Sequence, residues 1–239
     1  MKLAIPSINR PYLAKTLDSL WNSDFDDDVH LFVGNPDESY LNDFRSNPRV
    51  RIESMPAELW SQIKDLPDHQ KTSANYLRIF EADEEHLFIA EDDVEFSSSW
   101  KSELGKIRQA KPQSLISLYS RYEFNDPTIH PCGWTELRTA WGTCGIFYPK
   151  ELRKRLADFV RKRFEQNHLP NNYWEENGIR RILPPGFIPI DQMLSSYLFE
   201  TNSKAVISVP SYVEHIGDIT SISVNQNQGI RRATTFRRT

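Results

Sequence analysis

Short apolar runs alternate with longer segments of helical period through the first part of the chain. Lys2 to Ser7, Val29 to Val33, Val50 to Glu53 and His86 to Ala90 read as strands. Between the first two, Leu13, Leu17, Leu20 and Trp21 recur at helical spacing, which predicts a helix over Pro11 to Trp21 with proline at its start. Gly34-Asn35-Pro36 closes the second strand. A short helix is predicted near Tyr40 to Arg45, and further helices at Ala57 to Lys64 and Thr72 to Ala82. Such alternation implies a parallel sheet joined by crossovers.

The second half is less regular. Trp100, Leu104 and Ile107 mark a helix with Ser98 or Ser99 as its cap. Leu115 to Tyr119 and Gly142 to Tyr148 read as strands, with an irregular aromatic segment, Arg121 to Arg138, between them. Leu152, Leu156, Phe159 and Val160 define a basic helix. His168 to Pro189 reads as a long Pro/Asn-rich loop, and a loop of that length in a compact domain is usually functional. A helix over Asp191 to Phe199 and a strand over Ala205 to Val209 follow. Asn225 to Thr239 is a polar, basic tail.

The strand His86 to Ala90 runs directly into Glu91-Asp92-Asp93. Adjacent carboxylates lose their water on burial and cost several kcal/mol each unless something positive pairs with them. A hard divalent cation with oxygen ligands is the simplest partner. Ligands of open α/β sheets bind just beyond the carboxyl ends of strands. A metal there, and with it an anionic ligand such as a diphosphate, is the first chemical expectation.

Composition narrows the classes. At 239 residues, with 38% hydrophobic and 26% charged residues, the chain reads as an ordinary globular protein with room for one large domain or two small ones. No apolar run approaches the roughly 18 residues of a membrane helix. The apolar start, broken by Pro6, is too short for a signal peptide. Cys132 and Cys144 do not make a disulfide framework, so a reducing, cytoplasmic location is expected. Lys and Arg number 29 against 33 Asp and Glu, a net charge of −4, which argues against generic nucleic-acid binding. Basic residues nevertheless gather late, in Lys150 to Arg163, Arg180, Arg181 and the tail. They are either a solvated surface or a face for a polyanion. No P-loop, dinucleotide-binding glycine fingerprint, HExxH or GxSxG occurs, and nine glycines make no phosphate cradle. Phosphate binding would fall to a metal and side chains.

In four ordered stretches the chain resembles the GT-A glycosyltransferases, which use nucleotide sugars and a metal held by a DxD-type motif. These stretches are Ala4-Ile5-Pro6-Ser7 to Leu20, Phe32-Val33-Gly34-Asn35, Ala90-Glu91-Asp92-Asp93-Val94, and Pro210 to Gly217. Within that group it looks most like the N-acetylglucosaminyltransferase IV type. The resemblance implies a single α/β domain, GT-A-like and Rossmann-like, with a mostly parallel central sheet flanked by helices. It would span 1–224, with a nucleotide-sugar-binding half over 1–110, an acceptor half over 111–224, and the tail at 225–239.

It also implies roles. Asp93 is the direct metal ligand, Asp92 contacts ribose or a metal-bound water, and Glu91 and His215 complete the metal site. Asp191 is the catalytic base, although a helix cap explains it as well. Pro6, Ser7, Asn9, Arg10, Asn35, Asp37, Asn75 and Arg78 meet the donor nucleotide, and ordinary turn chemistry is the rival account of the loop residues. Trp141, Gly142, Thr143 and Trp174 face the sugar or the acceptor. Mn²⁺ or Mg²⁺ and a nucleoside diphosphate sugar, with a UDP-sugar first among donors, are the implied cofactor and substrate. The relatives invert at the anomeric carbon. The acceptor is a glycan or lipid-linked saccharide, or alternatively hydroxymethylated pyrimidine in DNA, as for phage-type enzymes, with Arg231, Arg232, Arg237 and Arg238 as polyanion contacts. A non-catalytic nucleotide- or sugar-binding protein and a nucleotidyltransferase are the readings of other classes.

Overall fold

The computed structural model describes residues 1–9, 11–82, 85–120, 133–140, 142–165, 173–176, 179–182, 189–217 and 236. Its centre is an eight-stranded mixed sheet. The strands, in chain order, are β1 (Lys2–Ser7), β2 (Val29–Val33), β3 (Val50–Glu53), β4 (His86–Ala90), β6 (Ile116–Ser117), β7 (Trp134–Leu137), β8 (Gly145–Pro149) and β11 (Ala205–Ser208). They lie in the order β3-β2-β1-β4-β8-β6-β11-β7. The first four are parallel, β8 runs against both its neighbours, β6 and β11 are parallel to each other, and β7 is antiparallel to β11. Six strands therefore point one way and two the other, in agreement with the mostly parallel sheet expected.

Both faces of the sheet are covered, which explains why its strands read as nearly continuous apolar runs. Alternate residues serve opposite faces. Leu3, Ile5, Phe88 and Ala90 join one core cluster, with Leu13, Leu17 and Leu20 of α1 (Leu13–Trp21) and Trp100, Leu104 and Ile107 of α4 (Trp100–Ala110). Ala4, Leu87 and Ile89 join the other, with residues of α3 (Asp68–Phe80), α5 (Lys150–Glu165) and α6 (Ile190–Glu200). A third, small cluster lies under α2 (Ala57–Ile63). The short helix after β2 is a 3-10 helix, Ser39–Phe44.

Five short strands depart from the sequence reading. β7 forms inside the segment read as irregular, and β9 (Tyr173–Glu176) pairs with β10 (Ile179–Ile182) as a hairpin inside the long loop. The other two, β5 (Val94–Phe96) and β12 (Val213–His215), form a separate antiparallel ribbon with Val213 opposite Phe96, Glu214 opposite Glu95 and His215 opposite Val94. That ribbon closes over the acidic motif. The helix cap also differs. Ser99 stands at the N-cap position of α4, as expected, but its side chain makes no capping bond. The Asp24 carboxylate, from the loop before β2, instead accepts the N–H groups of Lys101 and Ser102 at 3.0 and 2.8 Å. The basic tail lies outside the described residues apart from Phe236, which packs against the first core cluster. No helix of the described residues is long and apolar enough to cross a membrane.

Candidate active site

Strand order places the site. The chain moves outward from β1 to β2 and β3, then returns to place β4 on the other side of β1. The carboxyl ends of β1 and β4 thus flank the point where the sheet reverses its direction of growth, the usual crevice for a ligand in such sheets. Ser7 ends β1, and Glu91-Asp92-Asp93 leaves β4. Asp92 bridges the two ends, its Oδ2 accepting the N–H of Ile8 at 3.3 Å.

The acidic turn is held from both sides. On α1, the buried Thr16 hydroxyl donates to the Asp92 carbonyl at 3.0 Å and accepts the Val94 N–H at 3.1 Å. Ser19, one turn on, accepts the Phe96 N–H at 3.1 Å. From the other side, the Ile216 N–H donates to the Asp93 carbonyl at 2.9 Å, which extends the β5–β12 ribbon and fixes His215 beside the turn. These braces fold a local run of three acids so that the side chains diverge: Asp92 toward β1, and Glu91 and Asp93 toward His215.

Glu91, Asp93 and His215 each present a ligand atom, and these atoms lie within 4.8 Å of one another. His215 Nε2 is 3.3 Å from Asp93 Oδ2. Asp93 is 1% exposed, while Glu91 and His215 are half-buried, so the cluster is closed below and open above. Two carboxylates at that separation repel by about 3.5 kcal/mol at an effective dielectric of about 20. A divalent cation between them offsets that repulsion.

The surroundings of Glu91 fit an ion as well. The Thr143 hydroxyl donates to Glu91 Oε1. Tyr76 and Tyr148 lie beneath, fully buried, and the Tyr76 hydroxyl meets Thr143. Burial raises the pKa of both phenols, Tyr76 well above its ordinary value, and the Glu91 charge adds to the rise. Both stay neutral, so they place donors rather than competing charge around Glu91. Two carboxylates and an imidazole form a donor set that suits a divalent cation.

The other expected site residues divide. Pro6 and Ser7 are buried at the end of β1, with the Ser7 hydroxyl against that of Tyr40. Asn9, next along, is exposed in the left-handed region with φ 61°. Asn35 is half-buried after β2, and its buried Oδ1 has no hydrogen-bond partner. Asp37 accepts both the N–H and the hydroxyl of Ser39, which holds its pKa below the ordinary carboxylate value and makes it the start signal of the 3-10 helix. Asn75 and Arg78 tie α3 to the sheet. Asn75 Nδ2 donates to the Phe32 carbonyl at 3.1 Å, and Arg78 donates to the carbonyls of Val33, Glu53 and Ser54 while stacking on Phe32. Gly142 adopts φ 62° and leads into the buried Thr143. Asp191 sits half-buried in the first turn of α6 with Oδ1 accepting the Gln192 N–H at 2.9 Å, and it is not among the groups that meet at the metal cluster. Arg10, Trp141 and the four tail arginines lie outside the described residues, as does the side chain of Trp174 in β9.

Four contributors escaped the sequence reading. Thr16 gave no signal, being one polar residue on an apolar helix face. Tyr76 and Tyr148 read only as core. Tyr40 is half-buried beside Ser7 and Asp92, and desolvation first, then the Asp92 charge, raises its pKa. Its place in the crevice follows from tertiary structure alone.

Comparison with known proteins adds little. No protein-family model matches the chain, and no curated protein matches it. The N-acetylglucosaminyltransferase IV likeness therefore finds no support. Two crystal structures of S. aureus TarS overlap it. A structure of residues 1–349 shares 10% identity over 88% of this chain and 58% of that one, with a TM-score of 0.46. The second shares 12% identity over 88% of this chain and 35% of that one, with a TM-score of 0.45. This chain thus spans little more than half of the first and about a third of the second. Function is read from the site itself.

Proposed function

We propose that the protein is a glycosyltransferase that moves a sugar from a nucleoside diphosphate sugar to an acceptor hydroxyl. The meeting of Glu91, Asp93 and His215 within 4.8 Å, beside the crevice between β1 and β4, carries this reading. Glu91, Asp93 and His215 would hold Mn²⁺. A bound divalent ion supplies Lewis-acid stabilisation of charge on a departing nucleoside diphosphate. Asp92 and Ser7, with Asn9 and Asn35, line the ends of β1 and β2 where the nucleoside would lie. The unfilled hydrogen-bonding capacity of Asn35 Oδ1 supports a polar ligand there. Asp191 is assigned as the base that takes the proton of the acceptor hydroxyl, giving inversion. It starts a helix, where the helix dipole favours the ionised, proton-accepting carboxylate. A UDP-sugar donor and a saccharide acceptor complete the reading.

The test is titration calorimetry with UDP, with and without Mn²⁺, followed by turnover with a donor panel. Asp93→Ala should abolish Mn²⁺-dependent nucleotide binding while keeping the fold. Asp191→Asn should retain that binding and lose roughly 100-fold or more in transfer, the scale of general-base help. Nucleotide affinity unchanged by a chelator would overturn the metal assignment.

A further inference from the structure

Gly217 stands two residues beyond His215 and lies against the Asp93 side chain. A Cβ on residue 217 would come within 2.9 Å of Asp93 Cγ and 3.1 Å of Asp93 Cβ, and closer still to Oδ2. Real Cβ contacts are essentially never under 3.0 Å, so something would have to shift. Gly217 is not among the glycines in the left-handed region, which are Gly133 and Gly142. Its backbone conformation therefore admits any residue, and only the space demands glycine.

The neighbours of Asp93 leave its carboxylate little freedom. The side chain is 1% exposed. Its backbone carbonyl is fixed by the Ile216 N–H at 2.9 Å, and its Oδ2 faces His215 Nε2 at 3.3 Å. A methyl group on residue 217 would push Oδ2 out of line with His215 and Glu91. We propose that Gly217 is the positioning residue of the cation pocket, its missing side chain leaving Asp93 room to present its carboxylate to the ion. The proposal rests on the metal reading above and adds a determinant at the edge of the ligand shell.

Gly145 supplies a matched control. A Cβ there would meet Val213 Cγ2 at 2.9 Å and Phe88 Cζ at 3.2 Å, a tight contact, though looser than at residue 217, made only with apolar groups. Gly145→Ala should lower the melting temperature and leave Mn²⁺ affinity of the folded protein unchanged. Gly217→Ala should weaken Mn²⁺ binding, measured by calorimetry on the full chain, by roughly 10- to 100-fold, the scale for disturbing groups that orient a metal ligand. Equal affinity in wild type and Gly217→Ala would overturn the proposal.

A double-mutant cycle reads the same contact without metal. Gly217→Ala should lower the melting temperature of the wild-type chain markedly more than that of Asp93→Ala, where the carboxylate is gone. Equal cost in both backgrounds would show that the Asp93 carboxylate is not what residue 217 accommodates, and would also overturn the proposal. If the wild-type chain takes up no Mn²⁺, the metal reading itself falls and this inference falls with it. That outcome is distinct from a metal-binding wild type that Gly217→Ala leaves unaltered.

Discussion

Thr16 does more for the acidic turn than any residue of the turn itself. Its hydroxyl donates to the Asp92 carbonyl and accepts the Val94 N–H, so two buried backbone groups depend on one side chain. Valine has nearly the same shape and can make neither bond. Each buried backbone group left unpaired costs about 1–3 kcal/mol, so Thr16→Val should lose on the order of 3 kcal/mol in urea unfolding. The same variant should weaken Mn²⁺ binding, because Asp93 follows the released carbonyl directly. A change below about 0.5 kcal/mol would mean that water or a shifted turn replaces the hydroxyl. Residues of this kind are invisible to pattern reading. Thr16 sits between Leu13 and Leu17 on the buried face of α1, where a sequence suggests only a small tolerated polar side chain. His215 was read only through the family resemblance, whereas Glu91 and Asp93 were legible for the opposite reason. Three acids at a strand end announce their electrostatic cost whatever the surrounding fold.

At the scale of elements, legibility followed length and burial. β1, β2 and β4 lie where their apolar runs lie, because both faces of each are covered and the run is the strand, while β3 at the sheet edge keeps Arg51 exposed. The ribbon of β5 and β12 was missed. Each strand has three residues, and Glu95 and Glu214 interrupt the apolar pattern. β9 and β10 carry Glu175, Glu176, Arg180 and Arg181, a composition that reads as loop when the hairpin partner is not considered. The cap of α4 shows the limit most directly. Local rules select the serine just before Trp100, yet Asp24 takes that work from a loop more than seventy residues away. Asp24→Ala should therefore destabilise by about 1 kcal/mol, the usual loss on removing a cap, and Ser99→Ala should cost much less. Chemical denaturation of both variants decides it. The reverse order would return the cap to its local serine.

Charge is the property that belongs to the whole molecule, and here the structure changes its meaning. The helix from Lys150 to Glu165 reads as a cationic face in the sequence. In the fold, Arg153 is buried and donates to the Ala82 carbonyl at 2.7 Å. Arg161 meets Glu81 and Asp158, Arg163 meets Glu200, and Lys154 lies 3.7 Å from Glu151. Most of the helix's positive charge is thus answered by carboxylates of the same chain, in keeping with the net −4. Exposed pairs of this sort add little stability, about 0–1 kcal/mol each, but they remove the uncompensated charge a polyanion would need. Affinity for duplex DNA would then rest on Arg231, Arg232, Arg237 and Arg238. Four phosphate contacts give a slope of log K against log salt no steeper than about −3.6, from roughly −0.9 per phosphate. A salt series on the full chain should show that shallow slope at most, and replacing the four arginines with alanine should remove it. Changing Arg155 and Lys162 on the helix should leave it unaltered. A slope of about −6 that survives loss of the tail arginines would establish the helix as a polyanion-binding face and move the acceptor from saccharide to nucleic acid.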